Sequence, residues 1–136
     1  MVSDADARNE LVSMSIRKAE EDIVLLDKVV DDEDVSSEIV GFHAQQAIEK
    51  LLKALLIAKI IPFRRTHDLG ELMDLCSEHE IEVPDELYDI DDLTPFAVEY
   101  RYDVFTPPNK ELFSRSEALE RVKAVHDWVL SQINGV

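Results

Sequence analysis

The sequence predicts an all-α fold, an up-and-down antiparallel bundle of about five helices, four of them long or broken and one short. Three observations carry this. Apolar residues recur at three- and four-residue spacing through most of the 136 residues, with charges between them. Only 3 Gly and 5 Pro are present, too few turn formers for a many-stranded sandwich or barrel. Apolar residues make up 46% of the chain, which argues against disorder, and a chain of this length buries roughly 68% of its unfolded surface. Residues 1–136 read as one domain.

The first helix is expected over residues 4–30, with Asp4 or Asp6 as cap and Leu11, Met14, Ile16, Val24, Leu25 and Val29 as its apolar positions. Asp31-Asp32-Glu33-Asp34 follows, four like charges that suit a solvated connector. Ser36 and Ser37 are N-cap candidates for a helix over 37–60. Its apolar face is Val40, Ala44, Ala47, Ile48, Leu51, Leu52, Leu55 and Ala58, and Ile61-Pro62 ends it. His43, Gln46, Lys50 and Lys53 share the other edge of that helix.

Asp68 and Glu71 fit a capping pair for a short helix over 68–79 containing Leu69, Leu72, Met73, Leu75 and Cys76. A fourth helix is expected over Glu86–Tyr102 through Leu87, Ile90, Leu93, Phe96, Ala97 and Tyr100, kinked or broken at Pro95. Pro107-Pro108 marks a loop. Ser114 or Ser116 opens the last helix, which runs through Leu119, Val122, Val125, Trp128 and Val129 to about Ile133, with Asn134-Gly135 as the stop.

The charge narrows the function. At -16 the chain repels phosphate backbones and anionic lipid, so an extended RNA or DNA track is not expected. The distribution is uneven. Residues 1–41 carry 12 acids and 4 bases, residues 67–99 carry 12 acids and no Lys or Arg, and residues 100–136 carry 5 of each. Residues 42–66 carry 1 acid and the 5 bases Lys50, Lys53, Lys59, Arg64 and Arg65. Two readings of this positive strip stand: a face that neutralises acidic neighbours, or a site for an anion or an acidic partner.

Other chemistry finds little support. The lone Cys76 lies on an apolar helix face and reads as a buried structural thiol. No His-x-x-x-His pair, EF-hand loop, Gly-x-Ser-x-Gly or Gly-rich phosphate loop is present, and nothing calls for a metal or cofactor. The N-terminus shows no apolar secretory region, and the longest apolar stretch, Leu51 to Pro62, is interrupted by Lys53 and Lys59 and too short for a bilayer. A cytoplasmic protein without membrane contact is expected. Thr66-His67-Asp68 reads as a helix cap with His67 bonded to a neighbouring helix, or as an anion site at that helix N-terminus beside Arg64 and Arg65. Tyr100-Arg101-Tyr102 reads as an internal Arg–carboxylate pair, or as a stacking surface for a planar ligand.

Three linked segments carry a resemblance. They are the helix Phe42-His43-Ala44-Gln45-Gln46-Ala47-Ile48-Glu49-Lys50-Leu51-Leu52-Lys53-Ala54-Leu55-Leu56, the turn Thr66-His67-Asp68-Leu69, and Leu93-Thr94-Pro95 running to Arg101-Tyr102. In order and spacing, over about residues 5–133, they resemble the HEPN domain family, small helical proteins encoded beside minimal nucleotidyltransferases. Asp103 stands where the family usually has proline. The resemblance implies a helical bundle, commonly a homodimer. It implies either a toxin-like ribonuclease with an Arg and a His separated by four to six residues, or a non-catalytic module that binds a nucleotidyltransferase or a nucleotide-like ligand in a toxin–antitoxin-like setting. After Arg101 the corresponding positions are Thr106, Pro107 and Pro108, with no His. Arg121 and His126 have the nuclease spacing but fall inside the last predicted helix, about 140° apart around its axis. The expected ligand surface is therefore His43, Lys50, Lys53, His67, Tyr100 and Arg101, with Arg121 and His126 as the catalytic alternative. A dimer subunit without any ligand is a third reading.

Overall fold

A computed structural model describes residues 3–97 and 114–134 of the chain, the side chains of 94–97 excepted. The described residues form five helices in chain order, with no strand among them: α1 (Asp4–Val29), α2 (Ser37–Ala58), α3 (Leu69–Glu78), a 3-10 helix (Asp85–Ala97) and α4 (Arg115–Ile133). The predicted all-α architecture is the observed one.

Four caps set the α-helix starts. Ser36 accepts from the Ile39 N–H, Asp68 from Glu71, and Ser114 from Glu117. The Glu117 side chain returns a bond to the Ser114 N–H, closing a capping box. On α1 the cap is Ser3, whose hydroxyl accepts from the Asp6 N–H at 3.0 Å. Asp4 and Asp6 are instead in the first turn, where their charge still favours the helix dipole.

Every other helix packs on α2, and from Gly41 to Ala58 no α2 residue is fully exposed. Its partner face on α1 differs from the expected one. Leu11, Met14, Val24 and Leu25 are exposed, between 38% and 55%. Val12, Ala19 and Leu26 are buried instead, with Ile16, Ile23 and Val29 partly so. These three lie seven residues apart, two helical turns, and the small Ala19 lets α2 approach closely. Apolar residues surround much of α1, so composition alone did not choose the face.

The fourth element is also corrected. The expected α-helix is a 3-10 helix from Asp85 to Ala97, and residues 98–102 lie outside the described residues. Leu87, Ile90 and Leu93 are all fully buried, and their strict spacing of three aligns in a helix of three residues per turn. An α-helix would rotate the stripe off the core by about 60° at each step.

Two turns share one geometry. After α2, the Ile61 N–H bonds to the Leu56 carbonyl at 2.9 Å and the Ile60 N–H to Ile57 at 3.1 Å. After α3, the Ile81 N–H reaches Cys76 at 2.9 Å and Glu80 reaches Ser77 at 3.2 Å. Both are Schellman endings, with the buried Ile61 and Ile81 anchoring the chain beyond. The residue that must turn left-handed is Ile60 (φ 61°) in one and Glu80 (φ 67°) in the other. Glycine is the residue without a side-chain penalty there.

Arg115 closes the far end of the bundle. Its guanidinium donates to the carbonyls of Val30 (3.3 Å), Asp32 (2.9 Å) and Val35, and to the Ser37 hydroxyl (3.2 Å). One cation thus satisfies carbonyls at the end of α1 and in the acidic connector while opening α4. Ile60 is 68% exposed, so its substitution by glycine relieves backbone strain with little lost burial. Ile60→Gly is expected to stabilise the protein by about 1 kcal/mol, read as a raised midpoint in urea. Arg115→Ala is expected to lower stability by about 2 kcal/mol in the same measurement.

Candidate functional site

The positive strip of residues 42–66 is met in space by two carboxylates. The first is Asp22, in the middle of α1. It lies between Ala19 and Leu26 on the buried face of that helix, so its charge faces α2 rather than water. Lys50 Nζ donates to Asp22 Oδ2 at 2.7 Å, and His43 Nδ1 lies 3.2 Å from Oδ1. Both carboxylate oxygens are engaged, and the side chain is 12% exposed. His43 also meets the Phe42 ring edge-on, with centroids 5.3 Å apart.

The second carboxylate is Glu49, on α2 itself and 9% exposed. Its Oε1 accepts from Gln45 Nε2 at 2.9 Å and from His67 Nδ1 at 2.8 Å, while Lys53 Nζ donates to Oε2 at 3.0 Å. The fully buried Gln45 adds a second donation, to the His67 backbone carbonyl at 3.1 Å, and accepts from Gln46 Nε2 at 2.7 Å. The α2–α3 turn is therefore buttoned onto α2 through one amide and one carboxylate. Burial works against the Glu49 anion, but the hydrogen bonds from Gln45, His67 and Lys53 outweigh it and hold the carboxyl below its ordinary 4.5. Lys53 also lies 5.8 Å above the Phe63 ring.

The site is thus a paired network. Two ammonium groups and two imidazoles on one edge of α2 and its turn face two nearly buried carboxylates. Each lysine spends one N–H on its carboxylate and keeps donors turned toward the half-exposed edge.

The N-terminus of α3 is filled from within. The Gly70 N–H donates to Asp91 Oδ1 at 2.9 Å and the Glu71 N–H to Asp68 Oδ1 at 3.1 Å. A Cβ at residue 70 would meet the Asp91 carboxyl at 2.9 Å, so the absence of a side chain lets that acid approach. Arg64 binds Glu71 through two bonds of 2.8 and 2.6 Å. His67 is turned to Glu49 rather than toward this helix end.

Of the residues expected at the ligand surface, His43, Lys50, Lys53 and His67 come together, while Tyr100 and Arg101 lie outside the described residues. Arg121 and His126 share α4 but serve different neighbours. Arg121 binds Asp89 of the 3-10 helix at 3.0 and 3.1 Å, and His126 Nε2 lies 2.8 Å from Glu20 of α1. Cys76 is fully buried, and burial pushes its thiol up to about 11, so it is protonated near neutrality. Among the described residues, no group of three or more His, Cys, Asp or Glu could hold a metal ion.

The profile of the HEPN domain matches residues 12–133, nearly the whole chain. The chain belongs to the HEPN domain family. Neither a curated protein nor a solved structure matches it. In this HEPN chain no helix of the described residues is long and apolar enough to cross a membrane.

Three residues that organise this cluster escaped the sequence reading: Asp22, Gln45 and Glu49. The signal for Asp22 was a charge three residues after Ala19 and four before Leu26, on what proves to be the buried face. For Glu49 it was the single acid inside a basic segment.

Because the Glu49 carboxyl is held low, its stabilisation is fully present above pH 4.5 and is lost as pH falls through the folded value. Glu49→Gln is expected to cost about 1–2 kcal/mol at pH 7. The gap from wild type should close as pH falls below 4.5 in urea titrations; a gap independent of pH would remove the charge from the account.

Proposed function

We propose that this chain is a non-catalytic HEPN module whose half-exposed α2 edge binds a nucleotide-like anionic ligand. The observation that carries the reading is the gathering of Lys50, Lys53, His43 and His67 on one edge of a chain that is otherwise strongly acidic. Ammonium groups and imidazoles in a local concentration of this kind suit phosphate oxygens as point-charge and directional donors. Arg101 adds a bidentate contact in this reading, and Tyr100 a stacking ring. The resemblance further supports a homodimer in a toxin–antitoxin-like system.

A second reading, docking of a nucleotidyltransferase protein, has its own support. Leu11, Met14 and Leu25 lie within about 60° on one flank of α1, apolar residues open to solvent with the exposed Lys18 among them. The ribonuclease reading is disfavoured by the opposed engagements of Arg121 with Asp89 and of His126 with Glu20.

Titration with ATP tests the first reading. The Lys50→Ala/Lys53→Ala protein is expected to lose at least tenfold in affinity while staying folded by circular dichroism. Equal binding by wild type and the double variant would overturn the assignment. Incubation with cellular RNA should leave the RNA intact, whereas cleavage abolished by His126→Ala would replace the module with an enzyme.

A further inference from the structure

We propose that Asp22 is an internal competitor for the anion site, and that a phosphate-bearing ligand binds by taking its place on Lys50 and His43. The inference rests on the ligand-binding reading above and adds how access to that site is regulated.

Asp22 is the charged member of the four buried residues of α1. It presents two oxygens to one ammonium and one imidazole, at 2.7 and 3.2 Å, as a terminal phosphate would. It comes from a different helix than the donors it occupies, whereas Glu49 is on α2 and travels with Lys53. The two carboxylates therefore have different roles. Glu49 is a fixed part of the platform, tied to Gln45 and to the α2–α3 turn. Asp22 is a removable stopper, carried by α1.

A side chain as short as aspartate, held between Ala19 and Leu26 and almost out of water, exchanges its partners only when that stretch of α1 moves. Ligand binding is then coupled to loosening of mid-α1 against α2. The apparent affinity of the closed protein is lowered by the fraction of molecules in which the stopper is out. The chemistry recognised is a terminal phosphate, from inorganic polyphosphate or from a nucleoside triphosphate.

The test titrates wild type and Asp22→Asn with tripolyphosphate and, separately, with ATP. Asparagine keeps the size and one acceptor but removes the charge. Asp22→Asn is expected to bind about tenfold more tightly than wild type in at least one arm, and that arm identifies the phosphate source. In wild type, saturating probe is expected to speed amide hydrogen exchange over residues 18–26, a readout that holds even if the variant folds poorly. Wild-type binding with no gain in Asp22→Asn, or with unchanged exchange in α1, overturns the stopper and leaves the anion site standing. Absence of binding by both proteins in both arms overturns the anion site itself, and the stopper with it.

Discussion

Burial of α2 on almost every side is the constraint from which the rest follows. A helix that all other elements touch has little water available for its polar side chains, so each must find a partner inside the protein. Gln45 does so twice over, through Glu49 and the His67 carbonyl. Glu49 then needs donors, and Lys53 and His67 provide them. The chain of satisfaction starts in the core and ends at the half-exposed edge. The charged cluster is a consequence of packing before it is anything functional.

The same logic places the connections. The α2–α3 turn is held to the bundle by bonds from α2, which is why His67 points back to it. The start of α3 takes its carboxylates from Asp68 and from the distant Asp91, so the helix dipole is answered internally. At the other end, Arg115 binds carbonyls of the α1–α2 connection, where four adjacent acids repel one another. Cations in this acidic HEPN chain are few, and Lys50, Arg64, Arg115, Arg121 and Lys123 each tie two elements together.

That scarcity bears on function. Arg121 and His126, the pair with nuclease spacing, are clasps of this kind. Lys50 is a clasp too, and Lys53 pairs within α2, but both keep donors at an edge that solvent reaches. The net charge of -16 speaks against long nucleic-acid tracks, whereas a small anion needs only this local concentration of donors. The exposed flank of α1 that carries Leu11, Met14 and Leu25 adjoins Asp22 on the same helix, so a protein docking there and a ligand at the α2 edge would both act on α1.

The fold was legible in the sequence because helix signals are local. Ser36, Asp68 and Ser114 are caps whose partners lie three residues away, and the apolar face of α2 repeats every three or four residues. The HEPN resemblance was legible for the same reason, in segments of fixed spacing. Lys50, Lys53, His43 and His67 could be named from charge and motif alone. Their partners could not. The face α1 buries, the 3-10 winding of Asp85–Ala97, the arrival of Asp91 at Gly70 and the pairing of Asp22 with Lys50 all depend on which elements meet. By itself the sequence determined the helices, their caps and the presence of a basic segment within an acidic chain. Only the tertiary structure decided that Lys50 of this segment is paired from another helix, because an ion pair joining residues 28 apart forms when helices pack, not when they wind.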